Sequence, residues 1–510
     1  MKTTLTSPAS LLEKNSALQL DRLRSFLKTR VLPFSPFYRR VFAEIGLEAA
    51  ALRTMDDWAR VPFTAKEDLA AGPKDFVLQP DPVVLKRQPS VVLRALTQGR
   101  HAVTEALERE FRPLLMTSTT GRSAPPIPFV YTAHDLDHLA RTGRQLMEIG
   151  GSRREWRHLN LFPYAPHLAF WQTHYAGLGF GCFTVGTGGG KVMGTEGNIA
   201  LVEKIRPEVL IGMPTFLYHV LTVAVEEKQH WPQLRKLVLG GEKVPPGLRR
   251  KLRALCETLG APPVDVLATY GFTEAKMAWI ECPTPEGAEP SGYHFAPSLA
   301  LVEIIDPESG EPVGENAPGE IVFSALDSRG TVVLRYRTGD RISGGLCWEP
   351  CPHCERALPR LVGQISRVSE IRRLDVAKLK GALVDFNALE VALDDLDGLG
   401  AWQIELRKAN DDPYDRDELI LHAAPDASGC RDDLERAIGR RFTDVSEIRP
   451  NRVVWHTPEE LRDRHGVGRA LKEEKIVDHR PAATPDAAAE TARQTAPTPD
   501  STEKPLLVHN

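Results

Sequence analysis

Three features are scarce in this sequence, and each scarcity excludes a class of protein. No uncharged apolar run approaches the ~18 residues that a membrane-spanning helix needs, so no membrane partner is expected. Lys and Arg (64) do not exceed Asp and Glu (68), and the formal net charge of −4 excludes the basic surface of a dedicated nucleic-acid binder. The seven cysteines are an odd number, which argues against a disulfide framework. The first residues lack a signal-peptide core, and we therefore expect a cytoplasmic protein.

The pattern of the first two thirds of the chain predicts a large α/β domain at 1–365. Between about 110 and 300, short β-rich runs alternate with helical patterns, which indicates βαβ units and a largely parallel sheet. Beyond that point, short strands separated by turns predict a small antiparallel β subdomain. These strands are expected at Leu301–Ile305, Glu320–Ser324 and Thr331–Tyr336.

A smaller unit and a tail follow. In 366–480, helices near 386–396 and 432–442 alternate with strands, which predicts a small α+β C-terminal domain. Ala, Pro, Thr and Asp dominate 481–510, so this segment has too little apolar surface to fold, and we predict a disordered tail.

Three segments carry side chains suited to a nucleotide. Residues 117–122, Thr-Ser-Thr-Thr-Gly-Arg, are small hydroxyl residues followed by Gly and a cation, and such a loop can wrap phosphate oxygens. The segment 268–274 follows a strand and offers Tyr270 for a base and Glu274 for Mg²⁺. The third segment ends in Asp340, which can accept two hydrogen bonds from a ribose diol. The alternative for each segment is an ordinary turn or strand end.

The order of these segments carries more information than any one of them. A Gly240-Gly241-Glu242 turn lies between the first two, and Lys472 lies near the far end. With this order the chain resembles the adenylate-forming superfamily, and within it the phenylacetate–CoA ligase-like branch. Residues 36–40 and 61–69 look like the N-terminal region of that branch, and 472–480 is similar to its closing segment.

The resemblance implies a reaction in two steps and a role for each motif. A carboxylate attacks the α-phosphate of ATP to give an acyl-adenylate and pyrophosphate, and the thiol of coenzyme A then displaces AMP. The small domain is expected to be mobile, rotating between the two steps. The implied residues are Thr117, Ser118, Thr119, Thr120, Gly121 and Arg122 at the phosphates; Gly241, Glu242 and Tyr270 at the adenine; Gly271 as a further nucleotide-binding residue; Thr273 at the α-phosphate; Glu274 on Mg²⁺; Asp340 at the ribose; and Lys472 between the acid and the phosphate.

Two segments depart from the pattern of the family. Ser118 and Arg122 stand where the phosphate loop usually has Gly and Lys. The hinge segment, Gly363-Gln364-Ile365-Ser366-Arg367, has no acidic pair and lacks the arginine expected to reach the ribose. These departures leave open a different class of function, a degenerate homologue that binds nucleotide without turnover.

A separate set of residues predicts a metal site. Cys351-Pro-His-Cys354 is a CxxC knuckle, and Cys282 with His294 could complete a tetrahedral Cys₃His structural zinc site. Cys347 and His353 are alternative ligands, and separate reduced thiols are the alternative to a metal site.

The acid substrate is expected at an aromatic-rich segment, 162–171, where the resembled branch lines its acyl pocket. The residues predicted for this pocket are Tyr164, His167, Phe170, Trp171 and Met213. A buried structural core is the alternative for these aromatic residues. The leading hypothesis is an ATP- and Mg²⁺-dependent ligase that joins an aromatic acid to coenzyme A. Transfer to an amine or a carrier-protein thiol is the alternative, and assembly as a homodimer stays open.

Overall fold

A computed structural model describes residues 8–119, 126–367, 371–376, 379–409, 417–427, 429–446, 449–466 and 474–480. Thr120, Gly121, Arg122, Lys472 and the tail at 481–510, which the sequence analysis singled out, lie outside the described residues. The chain divides into two compact units. Unit 1 is Met1–Arg372, Asp385–Asp397 and Arg462–Glu473, and unit 2 is Arg373–Val384, Gly398–Leu461 and Glu474–Asn510. The predicted single boundary at 365/366 stays a prediction.

Helices account for most of the N-terminal region and alternate with strands from residue 115 onward. They are α1 (Pro8–Phe26), α2 (Leu32–Phe34), α3 (Pro36–Glu44), α4 (Met55–Ala59), α5 (Lys66–Ala71), α6 (Pro82–Arg87), α7 (Pro89–Phe111), α8 (Ala133–Ile149), α9 (Leu168–Phe180), α10 (Gly190–Ile205), α11 (Pro214–Glu226), α12 (Pro246–Thr258), α13 (Phe386–Asp394), α14 (Arg431–Ser446) and α15 (Pro458–His465). Within the described ranges, no helix combines the length and the apolar character that crossing a bilayer requires.

The strands form one large sheet and several small ones. They are β1 (Leu115–Ser118), β2 (Pro128–Tyr131), β3 (His158–Pro163), β4 (Thr184–Gly188), β5 (Val209–Gly212), β6 (Lys236–Leu239), β7 (Asp265–Phe272), β8 (Met277–Ile280), β9 (Tyr293–His294), β10 (Ala300–Ile305), β11 (Gly319–Ala325), β12 (Tyr336–Ile342), β13 (Leu346–Cys347), β14 (Arg360–Leu361), β15 (Ile365–Arg367), β16 (Ile371–Val376), β17 (Leu379–Asp385), β18 (Leu399–Lys408), β19 (Asp417–Pro425), β20 (Arg452–Trp455) and β21 (Ile476–Asp478).

The large sheet of unit 1 changes from parallel to antiparallel at β7. Its strand order is β13-β14-β9-β8-β7-β6-β5-β3-β4, and the strands from β4 to β7 run parallel. Residues 265–268 of β7 pair with β6, and residues 269–272 pair antiparallel with β8. The predicted segment 268–274 therefore begins where the parallel pairing ends, at the carboxyl edge where ligands bind in such sheets.

Helix α12 shows how the sequence produces these layers. Pro246 stands at its first turn, where a missing N–H costs nothing. Leu248, Leu252 and Cys256 are spaced by four residues, lie on one face and are buried. They pack in one apolar cluster with Leu237 and Leu239 of β6, so the helix covers the sheet.

The small antiparallel sheet has the order β10-β11-β12-β15, and one of its strands was misplaced in the sequence prediction. The strand expected at Thr331–Tyr336 is wrong, because the strand is Tyr336–Ile342. Residues just before it hydrogen-bond to N-terminal segments instead, as Val332 N–H does to the carbonyl of Phe76 (2.9 Å). A left-handed Arg335 (φ +44°) then precedes the strand. Asp340 consequently lies inside a strand and not at its end.

Unit 2 contains a four-stranded sheet with the order β20-β19-β18-β21. The central pair, β18 and β19, is antiparallel, and each outer strand runs parallel to its neighbour. With α14 this arrangement is α+β. The strands β16 and β17 pair with each other in a separate two-stranded sheet.

Candidate active site

Asp340 is held between a tyrosine and an arginine. Tyr270 Oη donates a hydrogen bond to Asp340 Oδ2 (2.9 Å), and Arg367 Nε donates to Oδ1 (3.0 Å). Arg367 is the direct partner of Asp340 in the pairing of β12 with β15, which explains how the two side chains meet. The charge of Asp340 raises the pKa of Arg367, while burial, followed by that same charge, raises the pKa of Tyr270. Two donors thus fix the orientation of the Asp340 carboxyl group.

Glu274 lies in a 3₁₀ turn directly after β7 and belongs to the same group of charges. Tyr336 Oη donates to Glu274 Oε1 (2.8 Å). Burial raises the pKa of Glu274, and the negative charge of Asp340 adds to this effect, whereas Tyr336 and Arg367 oppose it. The site therefore favours a cation next to Glu274. Thr273 precedes it in the same turn, and Gly271 lies in β7 against Ala278.

Lys276, directly after this turn, connects it to helix α8 through a buried ion pair and to the hairpin of β1 and β2 through a cation–π contact. Lys276 Nζ lies 3.0 Å from Asp135 Oδ1 and 4.9 Å from the centroid of the Tyr131 ring. Thr117 Oγ1 donates to Tyr131 Oη (3.2 Å). Thr117, at the base of the predicted phosphate loop, is in this way fixed relative to the turn that carries Glu274.

The rest of the described phosphate loop contacts the segment before α9. Ser118 N–H donates to the carbonyl of Pro166 (2.6 Å), and His167 Nδ1–H donates to the carbonyl of Ser118 (3.0 Å). Thr119 Oγ1 accepts from Ile127 N–H (3.0 Å). Residues 120–125 lie outside the described residues. Of the predicted pocket residues, His167 therefore supports the loop and is a positioning residue.

The Gly240-Gly241-Glu242 turn follows β6 at the same edge of the sheet. Gly241 has φ +85°, a conformation that side chains rarely adopt. A Cβ on Gly240 would come within 2.4 Å of Thr269 Oγ1, so only Gly fits there. Glu242 Oε2 accepts from Thr215 Oγ1 (2.7 Å), which ties the turn to the start of α11. Since β6 and β7 are neighbours, the turn and Tyr270 lie at adjacent strand ends.

An apolar cavity of about 110 Å³ adjoins this edge, between α8, α9 and the face of the large sheet. Gly240, Gly241 and Gly271 line one end. Ser152 and His158 line the other end. Ser152 Oγ lies 2.8 Å from His158 Nε2. Burial lowers the pKa of His158 to about 4, so its ring is neutral.

The predicted acyl-pocket residues are absent from the described residues that line this cavity. Leu168, Ala169, Gln172, Thr173 and Ala176 of α9 form its wall, whereas Tyr164, His167, Phe170, Trp171 and Met213 do not. Phe170 instead packs edge-on against Tyr164 (ring centroids 4.8 Å apart). Of the predicted aromatic segment 162–171, Phe162, Leu168 and Ala169 line the cavity.

The four residues predicted to bind zinc are brought together. The ligand atoms of Cys282, His294, Cys351 and Cys354 lie within 4.8 Å of one another. The Sγ atoms of Cys282 and Cys351 are 3.6 Å apart, and Cys354 Sγ is 3.4 Å from His294 Nε2. Tetrahedral Zn²⁺ with Zn–S of about 2.3 Å and Zn–N of about 2.0 Å requires edges of about 3.8 and 3.5 Å. The donor set therefore fits zinc.

The alternative ligands point elsewhere, and the thiols have different acidities. Cys347 Sγ accepts from Arg360 Nη2 (3.3 Å), and His353 Nε2 donates to the carbonyl of Glu289 (2.9 Å). Burial raises the pKa of Cys282 to about 12. Burial acts in the same direction on Cys351, but hydrogen bonds from Ser291 and from backbone N–H groups outweigh it and lower the pKa to about 7. One thiolate is thus available near neutral pH.

Comparison with known proteins agrees with this architecture. The family model described as "AMP-binding enzyme" matches residues 159–326. The structure resembles the crystal structure of 2-hydroxyisobutyryl-CoA ligase in the postadenylation state, with a TM-score of 0.70 and 20% identity over 95% of this chain and 92% of that one. The predicted α/β fold of the adenylate-forming enzymes is therefore confirmed.

Sequence comparison is more specific than the fold. The chain is 28% identical to the phenylacetate–coenzyme A ligase of Pseudomonas putida over 63% of its length, and to that of Thermus thermophilus over 70%. It spans 65% of the Pseudomonas protein, just under two thirds, and 72% of the Thermus protein. The family model and these relatives support the predicted resemblance to the adenylate-forming superfamily and to its phenylacetate–CoA ligase-like branch.

Proposed function

We propose that this protein activates a carboxylic acid with ATP and transfers the acyl group to the thiol of coenzyme A. The acid's carboxylate oxygen attacks the α-phosphorus and pyrophosphate leaves; the thiolate then attacks the acyl carbon and AMP leaves. One observation carries the proposal. Tyr270, Glu274 and Asp340 come from separate segments of the sequence, but they lie together with Arg367 in one group of interacting side chains. The names of the relatives, phenylacetate–CoA ligase and 2-hydroxyisobutyryl-CoA ligase, support it.

The nucleotide would bind along the carboxyl edge of the large sheet. Asp340 accepts hydrogen bonds from the ribose hydroxyls, which replace or join those from Tyr270 and Arg367. Gly240 and Gly241 have no side chains, so the flat adenine ring can approach the backbone of this turn. Thr215 holds Glu242 beside the turn. Thr273 and the loop at 117–122 face the phosphates in this proposal, and Lys472 joins them during the first step.

Glu274 suits Mg²⁺ as a single protein ligand. Mg²⁺ is usually held by one or two carboxylates together with substrate phosphates, and burial makes the charge of Glu274 costly without a counter-ion. When bound, the ion would neutralise charge on the phosphates. Tyr336 keeps the carboxylate oriented through its hydrogen bond to Oε1.

The cavity is the proposed site of the acid's hydrophobic body. Its volume of about 110 Å³ is of the same order as the ~150 Å³ of an engineered apolar cavity that binds benzene, so an aromatic ring is a suitable occupant. The carboxylate would then lie at the end formed by Gly240, Gly241 and Gly271, next to the nucleotide.

The Cys₃His cluster is proposed as a structural zinc site. It joins the residues after β8, the strand β9 and the loop between β13 and β14. Zinc bound there would hold these segments together, and no catalytic step involves it. We retain the cytoplasm as the proposed location.

Acid-dependent exchange of labelled pyrophosphate into ATP tests the first step without knowledge of the acceptor. Matched aromatic and alkyl acids should be compared, and AMP release should then be measured with and without coenzyme A. We expect exchange with at least one ring-containing acid and AMP release that depends on coenzyme A. Exchange without stimulation by coenzyme A would point to an amine or carrier-protein acceptor, and no exchange with any acid would refute the proposal.

A further inference from the structure

Gln172 is one of the residues that line the apolar cavity, and its side chain carries a buried, unpaired acceptor. Gln172 is 4% exposed, and its Nε2 donates to the carbonyl of Leu139 on α8 (3.1 Å). Because a carbonyl can only accept, this bond fixes which end of the amide is nitrogen. Oε1, on the other side, has no hydrogen-bond partner among the described residues. Leaving a buried acceptor unpaired is unfavourable, so this oxygen needs a donor.

The neighbouring groups of the cavity do not provide one. Thr173 Oγ1 donates to the carbonyl of Ala169 (2.9 Å), and Thr269 Oγ1 donates to the carbonyl of Leu239 (2.9 Å). Ser152 Oγ pairs with His158 Nε2 (2.8 Å), Lys236 Nζ donates to Asp265 Oδ2, and His158 Nδ1 is a second unpaired polar atom of the wall. The hydrogen bond to Leu139 of α8 also fixes the orientation of the Gln172 amide. An acceptor with these properties is suited to a polar group on a ligand.

We propose that the acid substrate carries a hydroxyl or amino group on its hydrophobic body and that this group donates a hydrogen bond to Gln172 Oε1. The inference rests on the proposed function and narrows its substrate class to ring-sized acids with a donor substituent. Gln172 lies four residues after Leu168, one helical turn or about 6 Å along α9. The substituent therefore lies on the part of the ring away from the carboxylate. Gln172 acts in specificity and takes no part in the chemical steps.

Matched pairs of acids test the inference. Benzoic and phenylacetic acids with a hydroxyl or amino group at each ring position are compared with the same acids carrying methyl, and kcat/KM for pyrophosphate exchange is measured. For at least one pair, the wild-type protein should favour the donor-bearing acid by about tenfold or more. Gln172→Met, which keeps the side-chain length but removes the acceptor, should abolish or invert that ratio.

Within one variant, the ratio of kcat/KM for the two acids of a pair does not depend on the folded fraction of the protein. The ratio therefore reports specificity and not stability. Thr173→Val is the matched control: it alters the same wall, but the lost hydroxyl is already satisfied, so the ratio should stay within about threefold of wild type. Gln172→Leu is a second variant should Gln172→Met fold poorly. Equal exchange with both members of every pair, or an unchanged ratio in the Gln172 variants, would overturn the inference while the proposed function stands. No exchange with any acid would refute the proposed function itself.

Discussion

Asp340 and Arg367 form an ion pair between a buried and an exposed side chain. The carboxylate of Asp340 is 6% exposed, whereas the side chain of Arg367 is 59% exposed. Ion pairs with so exposed a partner contribute little to stability. The arrangement is better explained by binding, since an exposed guanidinium beside the carboxylate proposed to bind the ribose can also reach the nucleotide. Arg367 would then supply the arginine that the hinge segment appeared to lack.

Arg367→Ala should therefore weaken nucleotide binding with little effect on folding. We expect KM for ATP in the exchange assay to rise about tenfold, the loss of one charge-assisted hydrogen bond, while the melting temperature stays within about 2 °C of wild type. Arg341→Ala is the control, because Arg341 follows Asp340 on β12 and its side chain projects from the opposite face. An equal rise in KM for both variants would show that Arg367 has no specific role.

Glu274→Gln should lower the activity of the protein, and its effect on stability should depend on pH. Burial raises the pKa of Glu274 in the folded protein, so the folded state holds this proton more tightly than the unfolded chain. The stability that Glu274 contributes is present below the unfolded pKa and is lost as pH rises through the folded one. The neutral variant avoids this loss.

Thermal unfolding of the ligand-free proteins, measured from pH 4.5 to 8, checks this sign. The melting temperature of Glu274→Gln relative to wild type should increase with pH, by about 2 °C across the range. Its exchange activity in the presence of Mg²⁺ should fall by at least about a hundredfold, because the proposed metal ligand is removed. A constant difference in melting temperature would contradict the assigned shift of the pKa, and full activity would contradict the role in metal binding.

Among the elements, strands and helices with regular patterns were predicted well, and irregular segments were not. The strands expected at Leu301–Ile305 and Glu320–Ser324 both appear, as Ala300–Ile305 and Gly319–Ala325, since each has a local pattern and a clear boundary. The run at 331–336 has the local pattern of a strand, because Val332 and Val333 are β-branched and Leu334 is apolar. These residues are buried against N-terminal segments that are distant in sequence. No local pattern reveals such a contact.

The loop that carries Cys351 and Cys354 should depend on zinc for its structure. Cys354→Ser removes one of four ligands, so purified protein should lose its bound zinc, and the melting temperature should fall by about 5 °C or more. Metal analysis together with thermal unfolding, with and without a chelator, measures both effects.

Cys347→Ser provides the control for this loop. Cys347 is buried nearby but contacts Arg360, and a serine hydroxyl can accept the same hydrogen bond, so zinc should be retained. Wild-type protein with less than about a tenth of an equivalent of zinc would refute the metal site.

At the scale of the whole molecule, the sequence allowed the nucleotide motifs to be named but not the groups that complete them. Tyr270, Glu274 and Asp340 belong to local motifs whose order along the chain is itself informative. Arg367 meets Asp340 only through the pairing of β12 with β15, and Gln172 reaches the cavity only because α9 packs on α8. Such partners depend on tertiary register, which one sequence does not reveal.

The two lysines near the end of the chain can be distinguished by the half-reaction that each affects. Lys472 is proposed to join the acid's carboxylate to the α-phosphate, so Lys472→Ala should lower pyrophosphate exchange by at least about a hundredfold. Transfer from a synthetic acyl-adenylate to coenzyme A should stay within about threefold of wild type, because that step no longer needs this charge. Lys475 is the matched control: its Nζ lies 4.9 Å from the centroid of the Trp402 ring, and its carbonyl accepts from Ile404 N–H in the pairing of β18 with β21. Lys475→Ala should therefore preserve exchange, and the opposite result for the two variants would assign the role to Lys475.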